Sequence, residues 1–371
     1  MKDLAIYVHI PFCKQKCHYC DFCSFSCSEN IQKQYFKLLE KEILLKSKSF
    51  QDREILSVYF GGGTPSFVEV KYIVSILELI KSEFKIKKDA EITIECNPCS
   101  TTLEKLQIYR KAGFNRISFG VQSFSDKTLK ALGRLHTSKQ ARNVVKQAQK
   151  TGFDNISCDL MIGVPFQTEK SLIKDAKTLV KLGINHISSY MLQVEEGTPL
   201  EKMISTGDMQ VADEEVSANM YQKLISFLDK NGFYQYEVSN FAKNKTFSQH
   251  NLNYWKRGEY LGLGLSASSF IGQTRFSNST IMAKYRNQEI ENYEKLSREE
   301  ILEEVIMLGL RCFEGFSISE VKNYGFDVLN NLAVKELVKK GILKINGDKI
   351  TCNPKFYSVN NEIISNIIKE I

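Results

Sequence analysis

The chain of 371 residues holds one tryptophan and six prolines, and no apolar run approaches the roughly 20 residues a membrane-crossing helix requires. Met1-Lys2-Asp3 leads straight into the strand-like Leu4–Ile10, without the charged and apolar regions of a secretory signal, so none is expected. Low-complexity segments and repeats, apart from an alternation of strands and helices, are missing as well. The net charge is +7, but the basic residues form no stripe interleaved with aromatics, so nucleic acid is not an expected partner. With 43% hydrophobic and 25% charged residues, what remains is an ordinary globular composition, long enough for one large core and a smaller domain.

What is there is order. Strand-like runs at Leu4–Ile10, Ile55–Phe60, Glu91–Cys96, Arg116–Gly120, Asn155–Ile162 and His186–Leu192 alternate with amphipathic stretches such as Val70–Glu83, Thr102–Ala112, Lys139–Lys150 and Ser171–Leu182. Strands alternating with helices imply a parallel sheet, and six such units predict a partial (β/α)6 TIM-like barrel over residues 1–235. Polar or glycine-rich motifs follow each strand, where such barrels gather their reactive groups. They are the cysteine loop, Gly61-Gly62-Gly63-Thr64-Pro65, Glu95-Cys96-Asn97-Pro98, Gly120-Val121-Gln122, Asp159 to Pro165 and Tyr190 to Gln193. Residues 236–297 are expected to connect the barrel to a second unit. From 298 to 371 the order of three helices (Glu300–Cys312, Ser317–Tyr324, Val328–Lys340) and a hairpin about Asn346-Gly347 predicts a small winged-helix-like α+β domain, read as a docking or lid element.

The ten cysteines, without a secretory signal, are read as reduced cytosolic thiols. Cys13, Cys17 and Cys20 are spaced C-x3-C-x2-C in a loop directly after the first strand. Three thiolates so placed can hold three irons of a [4Fe–4S] cube and leave the fourth open. A zinc site completed by Cys23 or His18, or a disulfide, are the alternatives on spacing alone.

This loop, with an aromatic before its last cysteine, resembles the radical S-adenosylmethionine (SAM) superfamily. The resemblance implies a [4Fe–4S] cluster on Cys13, Cys17 and Cys20, with SAM chelating the open iron. It implies SAM contacts from Tyr7, Tyr19, Gly62, Gly63, Thr64, Glu95, Gln122, Arg134 and Asp159. The whole chain resembles the branch holding oxygen-independent coproporphyrinogen III dehydrogenase and the HemW haem chaperones. Three features favour the chaperones. Phe22 stands where the enzyme has a further cysteine; only twelve residues precede Cys13; and His250-Asn251-Leu252-Asn253-Tyr254-Trp255 matches the chaperones' H-N-x-x-Y-W signature. That reading implies haem as cargo, contacted by His250. It implies respiratory haem proteins as acceptors and a cytoplasmic location, and it leaves open peripheral contact with the inner face of the membrane and a homodimer. Without a C-x2-C-H motif, covalent haem attachment is not indicated. The alternatives are the dehydrogenase, decarboxylating two propionates by a 5′-deoxyadenosyl radical, or another radical SAM reaction. The roles of Cys23, Cys27, Cys96 and Cys99 stay open.

Overall fold

The computed structural model describes Lys2–Lys369. Six strands run parallel and in chain order: β1 (Lys2–Ile10), β2 (Arg53–Gly62), β3 (Lys85–Cys96), β4 (Arg116–Gln122), β5 (Asn155–Ile162) and β6 (His186–Met191). This is the expected half-barrel. Each strand carries side chains alternately to its two faces. On β1, Leu4, Ile6, Val8 and Ile10 are fully buried in the main core, while Tyr7 and His9 line a cavity.

The outer helices read as periodicity requires. Val70–Glu83 buries Ile73, Ile76, Leu77 and Ile80, one stripe at 3.6-residue spacing. Removing such a side chain, as in Ile76→Ala, costs about 2–5 kcal/mol. Ser138–Lys150 and Glu169–Lys181 each begin with a capping box, Thr137 with Gln140 and Thr168 with Ser171.

The sheet does not stop at six strands. β8 (Asn240–Ala242) adds antiparallel to β6, and β7 (Tyr234–Gln235) pairs antiparallel with β8 at the sheet edge. At the other edge β9 (Tyr260–Leu263) lies parallel to β1, and β10 (Ser268–Ile271), β11 (Thr274–Asn278) and β12 (Ile290–Lys295) continue antiparallel. The stretch expected to be a connector therefore contributes five strands to the sheet. Glu42, on the helix Glu29–Lys46, pins this extension from inside the core. Its carboxylate accepts from Gly264 N (2.8 Å), Asn278 Nδ2 (2.6 Å) and Tyr285 Oη (2.6 Å), and pairs with Lys46.

The C-terminal part forms a three-stranded sheet of β13 (Phe316–Ser317), β14 (Leu343–Asn346) and β15 (Lys349–Cys352), in the order β13-β15-β14. The hairpin turn is Gly347-Asp348, one residue on from the expected Asn346-Gly347, because Asn346 pairs with Lys349 and Gly347 takes the left-handed position at φ +59°. The helices Arg298–Leu310, Ile318–Asn323 and Leu332–Lys339 accompany it. The third starts later than its apolar pattern suggested, because Asn331 caps it by accepting from Val334 N. A final helix, Asn360–Ile368, packs into the same core. This unit docks on the barrel extension through Phe313 N to Tyr236 O (2.9 Å) and Val238 N to Arg311 O (3.0 Å).

Candidate functional site

The loop after β1 is fixed before any ligand enters. Cys13 N donates to Phe25 O (3.1 Å), and His18 N donates to Leu132 O (3.0 Å). The His18 ring bonds Ala131 O through Nδ1 (2.9 Å), and Lys16 Nζ donates to Phe22 O (2.9 Å). The glycine-rich turn after β2 is tied to the same loop, with Gly63 N on Ile10 O and Thr64 N on Phe12 O. A Cβ on Gly63 would stand 2.9 Å from three backbone atoms of β1 and its loop, so only glycine lets the two turns lie so close.

Cys13, Cys17 and Cys20 line one cavity of about 340 Å³ at the C-terminal ends of the parallel strands. Tyr19, Gly62, Gly63, Thr64, Glu95, Gln122, Arg134 and Asp159 line it too. Of the residues expected to contact SAM, all but Tyr7 are thus brought together. Thr64 Oγ1 lies 3.4 Å from Cys13 Sγ, and Arg134 Nη1 donates to Cys17 Sγ at 3.4 Å.

Two devices place the polar groups. Asp175, buried on the helix Glu169–Lys181, accepts from Ser123 Oγ (2.6 Å) and Phe124 N (3.0 Å) and so holds the turn after β4. In that turn Gln122 sits at φ +65°, a left-handed conformation unfavourable for a residue with a Cβ. The His136 ring bonds Val121 O (3.1 Å) and fixes the segment carrying Arg134.

The cavity's charge state follows from its burial. Glu95 accepts from Tyr59 Oη (2.7 Å), yet burial pushes its carboxyl up to about 7, with Asp159 adding repulsion. Burial likewise raises Asp159 to about 6, against the pull of Ser188 and Arg116. Burial opposes the Arg134 charge, but nearby Tyr19 and Cys17 outweigh it and its pKa rises. Gln122 Oε1 and Arg134 Nε are buried and have no hydrogen-bond partner among the described residues. Buried polar atoms are normally satisfied, so an acceptor and a donor without partners here fit a polar ligand.

These residues fit a SAM-bound [4Fe–4S] cluster. Three loop thiols face the cavity, and Cys96 at the end of β3 lines it as well, with a glycine-rich turn, two carboxylates, an amide and a guanidinium around them. Among the described residues no three His, Cys, Asp or Glu side chains close on one point, as a single-ion site such as zinc requires. A cube takes one thiolate per iron and has no such requirement. Cys99 lines a small cleft beside the cavity, together with Cys17; Cys23 and Cys27 line neither.

Tyr7 and His250 lie elsewhere. Tyr7 Oη bonds His9 Nδ1 (3.1 Å), and the Tyr7 ring stacks at 6.2 Å on Tyr59, the partner of Glu95. His250 is 1% exposed, and both of its ring nitrogens are occupied: Nδ1 with Ser57 Oγ and Nε2 with Tyr254 Oη, each at 2.8 Å. Burial and the nearby Arg116 charge lower its pKa to about 3, so the ring is neutral. Both ring nitrogens thus have partners inside the protein, and His250 stands one layer behind Tyr254, which lines the cavity where His250 does not. Trp255 packs beside the small cluster of Tyr236, Ala242, Leu252 and Cys312.

The radical SAM superfamily model matches residues 7–179, and the HemN C-terminal domain model matches 296–355. The chain is 33% identical to the heme chaperone HemW of Bacillus subtilis over 99% of its own length and all of that protein. It is 34% identical to the heme chaperone HemW of Haemophilus influenzae, over 87% of this chain and 89% of that one. It is 31% identical to the mitochondrial radical S-adenosyl methionine domain-containing protein 1 of Bos taurus, over 99% and 88%. The structure of coproporphyrinogen III oxidase (HemN) from Escherichia coli superposes with a TM-score of 0.85 over 100% of this chain and 91% of that one. At 22% identity this likeness shows the fold alone.

Proposed function

The chain belongs to the HemW family of the radical SAM superfamily, and on that premise we propose that it is a haem chaperone, binding haem and passing it to haem proteins. The observation that carries this is the match to curated haem chaperones over essentially the whole length of both chains. The cofactors of the fold, a [4Fe–4S] cluster and SAM, supply one-electron chemistry at the open iron when bound.

The chain's own residues do the holding. Cys13, Cys17 and Cys20 are the cluster ligands. Gly62, Gly63, Thr64, Glu95, Gln122, Arg134, Asp159 and Tyr19, which line the same cavity, would hold SAM. Arg134 adds a charge-assisted donor to the Cys17 sulfur. Glu95, its carboxyl raised to about 7 by burial, would be held ionised by a cationic group bound beside it. Tyr7 acts at one remove, by bracing Tyr59.

The finer setting belongs to this proposal too. Respiratory haem proteins are the acceptors and the cytoplasm is the location, in keeping with ten free cysteines. The net charge of +7 favours peripheral contact with anionic lipid. Among the described residues no helix is long and apolar enough to cross a membrane.

The test is a haem titration of the anaerobically reconstituted protein, followed by visible absorption, beside incubation with coproporphyrinogen III, SAM and a reductant. Stoichiometric haem binding without porphyrinogen conversion supports the chaperone. Conversion to protoporphyrinogen IX without haem binding overturns it in favour of the dehydrogenase.

A further inference from the structure

A second cavity, of about 440 Å³, opens beside β1, within the size range of sites for small ligands. Its lining comes from β1, β9, β10 and β11, from the end of the helix Gln249–Trp255 and from the helix Arg298–Leu310. None of its walls belongs to the cysteine cavity. The aromatic side chains of Tyr7, Tyr59 and His250 are stacked at the barrel side of it, and Tyr59 reaches Glu95 in the first cavity.

The lining has two characters. Tyr254, Tyr260 and Phe270 form an aromatic wall, with Tyr254 edge-on to Tyr260 at 4.7 Å and Tyr260 6.2 Å from Phe270. Above Phe270 stand two guanidiniums, Arg257 at 4.7 Å and Arg275 at 5.7 Å. Both pair with one carboxylate, Glu304: Arg257 Nε at 2.8 Å and Arg275 on the other oxygen. Arg257 Nη2 is buried and has no partner among the described residues. Glu294, Glu300 and Glu303 line an adjoining cleft that shares Arg275, not this cavity. Two of the lining residues, Arg257 at φ +55° and Ser266 at φ +64°, hold left-handed backbone conformations that favour glycine. Such conformations persist where the surroundings enforce them, and they gather at binding sites.

We infer that this second cavity is the haem site, with the porphyrin ring against Tyr254, Tyr260 and Phe270 and the propionates on Arg257 and Arg275. The inference rests on the haem-chaperone reading. A haem is a flat apolar ring with two carboxylates on one edge. Aromatic faces suit the ring, and planar guanidiniums grip carboxylates with two parallel hydrogen bonds. A propionate takes up the unpartnered Arg257 Nη2. His250 is then a positioning residue: its Nε2 bond holds the Tyr254 hydroxyl, and the ring of Tyr254 faces the cargo.

The experiment is a visible-absorption titration of the full chain with haem and with haem dimethyl ester, whose propionates carry no charge, for wild type, Arg275→Gln and Arg257→Gln. Each charge-assisted pair lost is expected to weaken binding about tenfold or more. Wild type binds haem more tightly than the ester by about a hundredfold, since the ester loses both pairs. Arg275→Gln loses about tenfold for haem but little for the ester, because the partner of the removed charge is already gone. Arg275 is the safer substitution, its side chain being 40% exposed, and the ester leaves the protein untouched should Arg257→Gln misfold. Equal affinity of wild type for haem and ester, or unchanged haem affinity in Arg275→Gln, overturns the placement alone. No haem binding by wild type overturns the chaperone reading beneath it.

Discussion

Arg134 donates one guanidinium nitrogen to the sulfur of Cys17 at 3.4 Å and another to the carbonyl of Gly120, so a single side chain bridges the cysteine loop and the end of β4. A planar fork can span both acceptors; a lysine ammonium cannot hold the same geometry. Arg134→Gln and Arg134→Lys are both expected to keep iron but to lose SAM affinity by about tenfold or more, the first from loss of a charged donor and the second from loss of the bridging fork. The check is electron paramagnetic resonance of the reduced protein with increasing SAM. A midpoint unchanged from wild type in either variant would remove Arg134 from the SAM site.

The three cavity cysteines of the loop separate from their loop neighbours by position; the fourth cysteine of the cavity, Cys96, is buried at the end of β3. Cys13→Ser, Cys17→Ser and Cys20→Ser should each abolish reconstitution of the cluster. Cys23→Ser and Cys27→Ser should leave it intact, because neither side chain lines the cavity. Iron and sulfide content after anaerobic reconstitution decides this, and retention of full iron by any of the first three would dismiss it as a ligand.

Gln122 sets stability against binding. Its left-handed backbone costs about 1 kcal/mol or more in a residue with a Cβ, and glycine relieves that cost. Gln122→Gly is therefore expected to melt no lower than wild type while binding SAM more weakly, since the amide is gone. A drop of several degrees in the melting temperature would mean that the amide serves the fold instead.

Glu237 makes folding sensitive to pH. It is fully buried, and its Oε1 has no hydrogen-bond partner among the described residues, although Oε2 accepts from Ser239 N at 3.0 Å. Burial raises its pKa from the model-peptide value of 4.5 to about 7. Between those values the folded chain keeps a proton that the unfolded chain has released. Stability from this group is thus full below pH 4.5 and is lost as pH rises to about 7. Glu95 and Asp159 act in the same direction. Glu237→Gln should make the decline shallower by about 1.4 kcal/mol per pH unit within that window. Urea unfolding at pH 5.5, 6.5 and 7.5 measures it; parallel curves for the two proteins would refute the assignment.

Much of the first cavity was legible because a βα repeat sends its functional residues to one end. Once Arg116–Gln122 and Asn155–Ile162 are read as neighbouring parallel strands, Gln122 and Asp159 must share a rim. Tyr7 shows the limit of that logic. Its neighbour in sequence is the cysteine loop, but strand alternation points it, with His9, into the second cavity. The short strands β9 to β12 were not legible, because β9 is set by pairing with distant β1 and the others read as polar hairpins without a strong turn dipeptide. Arg257 and Arg275 had no signature either, since single arginines on separate elements become a site only through the fold. His250 was legible as special, through the hexapeptide, but not as buried behind Tyr254.

The position of β1 also orders events during synthesis. It emerges before the other described strands, and one of its two edges must wait for β9, where Ala5 meets Tyr260. The strands β2 to β6 can assemble beside β1 well before that, so the loop carrying Cys13, Cys17 and Cys20 takes shape on a nascent chain that still has an open flank. Contacts between distant parts of a chain close slowly. The cysteine cavity is accordingly the earlier product of translation and the arginine-lined one the later, and a chain truncated before Tyr260 would have every lining residue of the first but lack Tyr260, Phe270 and Arg275 of the second.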